Sequence, residues 1–220
     1  MRLVTWNCAG GFTNKWSALL SLEPDIAIIQ ECSSRTEVEA MDLGWEAAWC
    51  GRVPKGMAVI ARPGITVARL AQTFQWTLPF RVTGDAEMEA IAIWALSPGD
   101  TKHSYGRQGL LAVAELDQLP DCAWVAGDFN SWDHPAHLEM IDQMRRRGFV
   151  SAYHAYRGVA RNVELEPTFF QYRHRDKPFH IDLQFVPTTW TIKSVEVGTF
   201  DDYVATGLSD HVPVVVTVDP

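Results

Sequence analysis

The stretch "LSDHVPVVVTV" at 208–218 joins two unlike halves. The second is plain: Val212, Val214, Val215, Val216 and Val218 are β-branched and apolar, as a buried strand demands. The first sets an acid and an imidazole, Asp210 and His211, directly before that strand. Taken alone, the pair reads as loop residues in water, since strand ends often carry polar groups. The same arrangement recurs along the chain, however. "LVTWN" ends at Asn7, "IAIIQE" at Glu31, and "AWVAGDFN" at Asp128 and Asn130, while "HIDLQF" carries Asp182 near its start. A buried, ionised carboxylate without a partner is costly, so a site that collects these groups requires positive charge or water. Carboxylate and amide oxygens suit a hard cation, which points to Mg²⁺ or Mn²⁺ over zinc.

Between these termini the pattern alternates. Strands are expected at 2–7, 26–31, 46–50, 56–62, 67–72, 79–84, 89–96, 122–130, 168–173, 180–186 and 191–198. Helices are expected at 13–22 with Thr13 as N-cap, at 33–44 with Ser33 or Ser34 as cap and Gly44 as stop, at 105–119, and at 135–148. The basic run 145–147 ends that last helix, where the dipole favours it. No repeat, low-complexity tract or linker interrupts the chain. The expectation is a single α/β domain over 1–220, with mixed strand pairing and sheets packed inside helices.

Bulk properties agree. The chain has 220 residues, 47% apolar and 21% charged, enough to bury a core without disulfides. Its apolar runs are strand-sized, so no membrane span is expected, and no secretory signal opens it. The cysteines Cys8, Cys32, Cys50 and Cys122 form no CxxC pair and read as buried reduced thiols, which favours a cytoplasmic home. A net charge of −8 counts against a broad basic face for nucleic acid, but a carboxylate-rich metal site itself inflates the acidic count. No protein partner can be inferred.

In order along the chain, "VTWNCAG", "PDIAIIQE", "GMAVIAR", "AGDFNS", "HIDLQFV" and "SDHVPV" resemble the endonuclease/exonuclease/phosphatase superfamily, which includes DNase I-like nucleases, exonuclease III-like repair enzymes, sphingomyelinases and inositol polyphosphate 5-phosphatases. The resemblance implies a four-layered α/β sandwich, two packed mixed β-sheets flanked by helices, and a Mg²⁺- or Mn²⁺-dependent phosphoesterase. It gives Glu31 the metal, with Asn7 beside it and Asp210 completing the surroundings. Asp128 would orient or deprotonate the attacking water, and Asn130 would donate to a phosphoryl oxygen. His211 would contact the scissile phosphate as imidazolium or act as general base, its ring fixed by Asp182. His180 would be a phosphate contact or a solvent-facing strand residue; Trp132 would stack on a substrate ring or simply pack.

Two positions depart from the pattern. Ala9 stands where exonuclease III-type members often carry an acid. Trp94 stands where relatives have His or Tyr at a strand end, and an indole has one donor and no acid–base chemistry. A general acid contributes about 10²–10⁴-fold in rate. A metal-bound water could protonate the leaving oxygen instead, His103 or Tyr105 on the following loop could replace the acid, or the Trp94 N–H could position a phosphate oxygen. The leading expectation is a nuclease acting on DNA or RNA. The alternatives are a hydrolase of a small phosphate ester (an inositol phosphate, nucleotide or lipid head group) and a non-catalytic phosphate-binding module.

Overall fold

The computed structural model describes residues 1–119 and 122–220. The N-terminal part comprises β1 (Arg2–Asn7), α1 (Trp16–Leu20), β2 (Ile26–Cys32), α2 (Arg35–Asp42), β3 (Glu46–Arg52) and β4 (Lys55–Ala61). The middle follows with β5 (Ile65–Arg69), β6 (Thr77–Gly84), β7 (Met88–Trp94), α3 (Pro98–Thr101), α4 (Tyr105–Val113), β8 (Cys122–Asp128) and α5 (Pro135–Arg146). The C-terminal part holds β9 (Phe149–Ser151), α6 (Ala152–Arg157), β10 (Phe169–Phe170), β11 (Pro178–Phe179), β12 (Asp182–Pro187), β13 (Thr191–Val197) and β14 (Val214–Asp219).

Two six-stranded sheets result, ordered β13-β14-β1-β2-β4-β3 and β5-β6-β7-β8-β12-β9. Each mixes one parallel pair, β1 with β2 and β7 with β8, with antiparallel neighbours. The strands read as near-continuous apolar runs because both their faces are covered. Leu3, Ile26, Ile28, Val59, Phe80, Trp124 and Val216 fill the space between the sheets. Val4, Trp6, Ala27 and Ile29 point the other way, onto Phe12, Leu19 of α1 and Ala40 of α2. Ile91, Ile93 and Val125 turn outward onto Leu110 of α4 and Met140 of α5. The layers are therefore helix, sheet, sheet, helix, the arrangement the resemblance implied.

Several elements differ from their expected bounds. Helix 13–22 is broken: a 3₁₀ turn at Phe12–Asn14 precedes α1, and Thr13 donates to Glu39 Oε1 at 2.8 Å instead of capping. Ser34 holds the N-cap position of α2 without a side-chain cap bond. The stretch 105–119 leaves the α-helix after Val113 and tightens into 3₁₀. The strand expected at 67–72 lies at Ile65–Arg69. The stretch 168–173 keeps two strand residues, then turns where Tyr172 and Arg173 take φ of 56° and 60°.

The topology brings the candidate residues to one end of the sandwich. Because β1 and β2 are parallel, Asn7 and Glu31 leave the first sheet at the same end. Because β7 and β8 are parallel, Trp94 and Asp128 leave the second together. The antiparallel β12 begins opposite Asp128, with Asp182 as its direct partner. The antiparallel β14 begins beside the end of β1, just after His211. Inside the core, Gln184 clamps the sheets together: its Oε1 accepts from Trp124 Nε1 at 2.9 Å, and its Nε2 donates to Val214 O at 2.8 Å.

Candidate active site

Strand ends alone do not aim side chains, and local irregularities complete the work. Glu31 is the extra residue of a β-bulge in β2, between Gln30 and Cys32, with φ of 61°. The bulge turns Glu31 out of the strand alternation, which would otherwise send it to a sheet face. Asn130 follows β8 with φ of 49°, and Ala9 follows β1 with φ of 52°. Non-glycine residues in this region cost about 1–3 kcal/mol each and persist where the surroundings over-determine them. Here the surroundings are hydrogen bonds: Ala9 N donates to Asn7 Oδ1 at 3.0 Å, and Asn130 N donates to Asp128 Oδ1 at 2.9 Å.

The result is one connected cluster. Asn7 Nδ2 donates to Asp128 Oδ2 at 2.9 Å and to Glu31 Oε1 at 3.3 Å. Asn130 Nδ2 donates to Asp128 Oδ2 at 3.0 Å and to Ala95 O at 3.1 Å, so both its amide hydrogens hold the Asp128 turn. His211 Nδ1 lies 2.9 Å from Asp182 Oδ2. Ligand atoms of Asp128, Asp182 and His211 all fall within 4.8 Å of one another. The backbone before β14 is pinned by Ser209, whose Oγ donates to Asn7 O at 2.7 Å and accepts from His211 N at 3.1 Å. Trp6 Nε1 donates to His211 O at 3.2 Å.

Charge governs this cluster. Asp128 and Asp182 are fully buried and directly opposite each other, where like charges repel. Burial pushes the Asp128 carboxyl up to about 7, opposed by the His211 charge and reinforced by Asp182. Burial works against the His211 imidazolium too, but the Asp182 and Asp128 charges outweigh it and push the ring up to about 9. Asp182 Oδ1 is buried without a partner among the described residues. Glu31 is ion-paired with the Lys55 ammonium. An unpartnered carboxylate oxygen and acids that face each other are what a hard divalent cation would satisfy, and such an ion would compete with the Lys55 ammonium for Glu31. The residues present fit such an ion.

The other candidates take varied places. Asp210 adjoins His211 and helps hold its charge, while its backbone oxygen accepts from Phe170 N at 2.8 Å. Trp94 flanks the cluster as the register partner of Asp128. Trp132, exposed, packs on Phe179 with centroids 4.7 Å apart, beside an open groove of about 810 Å³. His180 does not join the cluster: its Nδ1 lies 2.8 Å from Glu166 O and its ring packs on Tyr153 at 4.4 Å. His103 packs edge-on to Trp76 at 5.8 Å. Tyr105 opens α4, and burial and then the Asp128 charge push its hydroxyl above the usual tyrosine range.

Sequence reasoning missed several supports. Lys55 lies on the β3–β4 hairpin, and nothing local signals its pairing with Glu31. Thr168 is fully buried, and its Oγ1 accepts from the N–H of both Ile181 and Asp182 at 3.0 Å, which sets the start of β12. Phe169 lays its ring against His211 at 4.5 Å. Ser209 precedes the Asp210–His211 pair, and that adjacency was the one local sign of its pinning role.

Two sheets present buried acids, amides and an imidazole at one end, and a family match supports a hydrolase of phosphoesters. The sequence profile of the Endonuclease/Exonuclease/phosphatase family matches residues 4–211, and the chain belongs to that family. No curated protein is a significant match. Among solved structures, the 3′ phosphatase NExo from Neisseria, bound to a product DNA hairpin, has a TM-score of 0.74 at 16% identity, with 100% of each chain covered. The D. rerio TDP2 complexed with a single-strand DNA product scores 0.74 at 14%, covering 100% of this chain and 99% of that one. An AP endonuclease from Archaeoglobus fulgidus scores 0.73 at 15%, with 100% of each chain covered.

Proposed function

We propose that the protein hydrolyses phosphodiesters of DNA or RNA and depends on Mg²⁺ or Mn²⁺. The observation that carries this reading is the convergence of Asn7, Glu31, Asp128, Asp182 and His211 on one end of the sandwich. The relatives captured with DNA products favour nucleic acid as the substrate class. Glu31, Asn7 and Asp210 would hold the cation, which supplies Lewis acidity toward a phosphoryl oxygen. Asp128, with a carboxyl poised near neutrality, is suited to take a proton from the attacking water. Asn7 and Asn130 keep its oxygens in place. His211, held by Asp182, presents positive charge where negative charge builds on the phosphoryl group. Trp132 on its Phe179 support offers a face for a substrate ring.

The test compares plasmid and oligonucleotide cleavage in Mg²⁺, in Mn²⁺ and in EDTA, with Glu31→Gln and His211→Ala beside the parent protein. Cleavage should vanish in EDTA and fall about 10²-fold or more in each variant. Cleavage that survives both the chelator and the substitutions overturns the reading. Turnover of phosphomonoesters but not oligonucleotides would move the assignment to a small phosphate ester. Absence of turnover on both would make the fold a phosphate-binding module.

A further inference from the structure

On the flank of the cluster, between the β3–β4 hairpin and the ends of β5 and β7, lies a groove of about 480 Å³. Its lining brings together three cations, Arg52, Lys55 and Arg69, and two indoles, Trp49 and Trp94. Asp100 is the one carboxylate among the described lining residues. In a chain of net charge −8 this is a local reversal of sign. The groove opens directly on the chemistry: Lys55 is ion-paired with Glu31, and Trp94 sits in register with Asp128.

The groove is also built, beyond being lined. A Cβ on Gly56 would lie 2.5 Å from the Trp49 ring and 2.1 Å from Cys50 O; one on Gly51 would lie 2.4 Å from the Gly56 Cα. The two glycines therefore let the Trp49 indole lie close over the hairpin. Arg69 Nη1 donates to Trp49 O at 3.1 Å, which tethers the guanidinium. Its other donors, and all those of Arg52, take no protein acceptor among the described residues. Guanidinium forks without carboxylates match the geometry of a phosphate.

We propose that this groove holds a second phosphate of the substrate, next to the one that reacts, with Arg52 and Arg69 as its partners. The inference rests on the phosphoester-hydrolase reading and narrows it to substrates with at least two neighbouring phosphates. Lys55 lies between the two phosphate positions, and the Trp94 indole supplies a face for the sugar or base that links them. Trp94 then serves substrate placement at a position where relatives of the resemblance carry His or Tyr. Neighbouring phosphates come from a polynucleotide strand or from a small bisphosphate ester.

The first measurement is binding of a fluorescein-labelled single-stranded oligonucleotide in EDTA, read by anisotropy over a salt series. The Arg52→Ala/Arg69→Ala variant should lower the salt slope by about 0.7, the amount for the one phosphate that the two side chains neutralise together on a single strand. The Arg52→Lys/Arg69→Lys variant should restore most of it. The second measurement compares hydrolysis of an oligonucleotide, a sugar bisphosphate and bis(p-nitrophenyl) phosphate, which has one phosphorus. In the double alanine variant, the ratio of kcat/KM for the oligonucleotide to that for the one-phosphorus ester should fall at least tenfold. A fall confined to the bisphosphate ratio would support the groove with a small ester as its source. An unchanged salt slope together with unchanged ratios in both arms overturns the groove. Wild-type protein that binds with the expected slope but hydrolyses nothing in Mg²⁺ or Mn²⁺ would defeat the hydrolase reading and leave the groove supported.

Discussion

Asn7 is a small side chain with several connections. It restrains Glu31 and Asp128 through one amide nitrogen, and its oxygen holds the turn at Ala9. Asn7→Ala frees both carboxylates, and partners that orient metal ligands are typically worth about 10–100-fold in metal affinity. Mn²⁺ titration calorimetry should show a loss of that size. Lys55→Gln should act in the opposite direction. On the proposed reading the ammonium would have to yield Glu31 to an incoming cation, so removing it should tighten Mn²⁺ binding. Equal changes of the same sign in both variants would contradict these roles.

The elements carry their own liabilities, and α5 shows one. His137 lies on its buried face, with neither ring nitrogen partnered among the described residues. Burial, and then the nearby Arg161 charge, push its imidazole down to about 3. The folded protein therefore keeps His137 neutral, while the unfolded chain takes up a proton below about 6.5. The sign follows: folding stability is complete above that pH and declines as pH falls toward 3. Between about pH 8 and about pH 5 the group should cost about 2 kcal/mol, from about 1.4 kcal/mol per pH unit. Urea unfolding of His137→Leu at both values should show a pH dependence smaller by that amount. The β2 bulge is the second case. The apolar run of "IAIIQE" identifies a strand, but a strand continued regularly to its end would not aim Glu31 at Asn7; one inserted residue does.

At the scale of the molecule, function depends on two sheets kept in fixed register. Gln184 is a fully interior polar link between them, two residues beyond Asp182, and reaches the start of β14 three residues beyond His211. Gln184→Leu leaves the Trp124 N–H buried without this partner, at about 1–3 kcal/mol. Denaturant unfolding should report that loss. Activity should fall as well, because the Asp182–His211 pair spans the same two strands' approaches. A variant of full activity and full stability would show that apolar packing alone sets the register.

Much of this protein was written in its sequence. Apolar runs ending in acids, amides or imidazole gave the strands of the core and named Asn7, Glu31, Asp128, Asp182 and His211, because strand identity and side-chain chemistry are local properties. Their separations in sequence, as great as that between Asn7 and His211, carried no distance. Only parallel pairing of β1 with β2 and β7 with β8, together with antiparallel β12 and β14, brings those termini to one end. Lys55, Thr168 and the basic groove were invisible for the same reason. Their roles are contacts across the fold, made by residues whose immediate neighbours say nothing of phosphate or metal. Charge completed the division: sequence supplied the acids, but burial opposite one another is what perturbs them, and burial is a property the chain acquires only on folding.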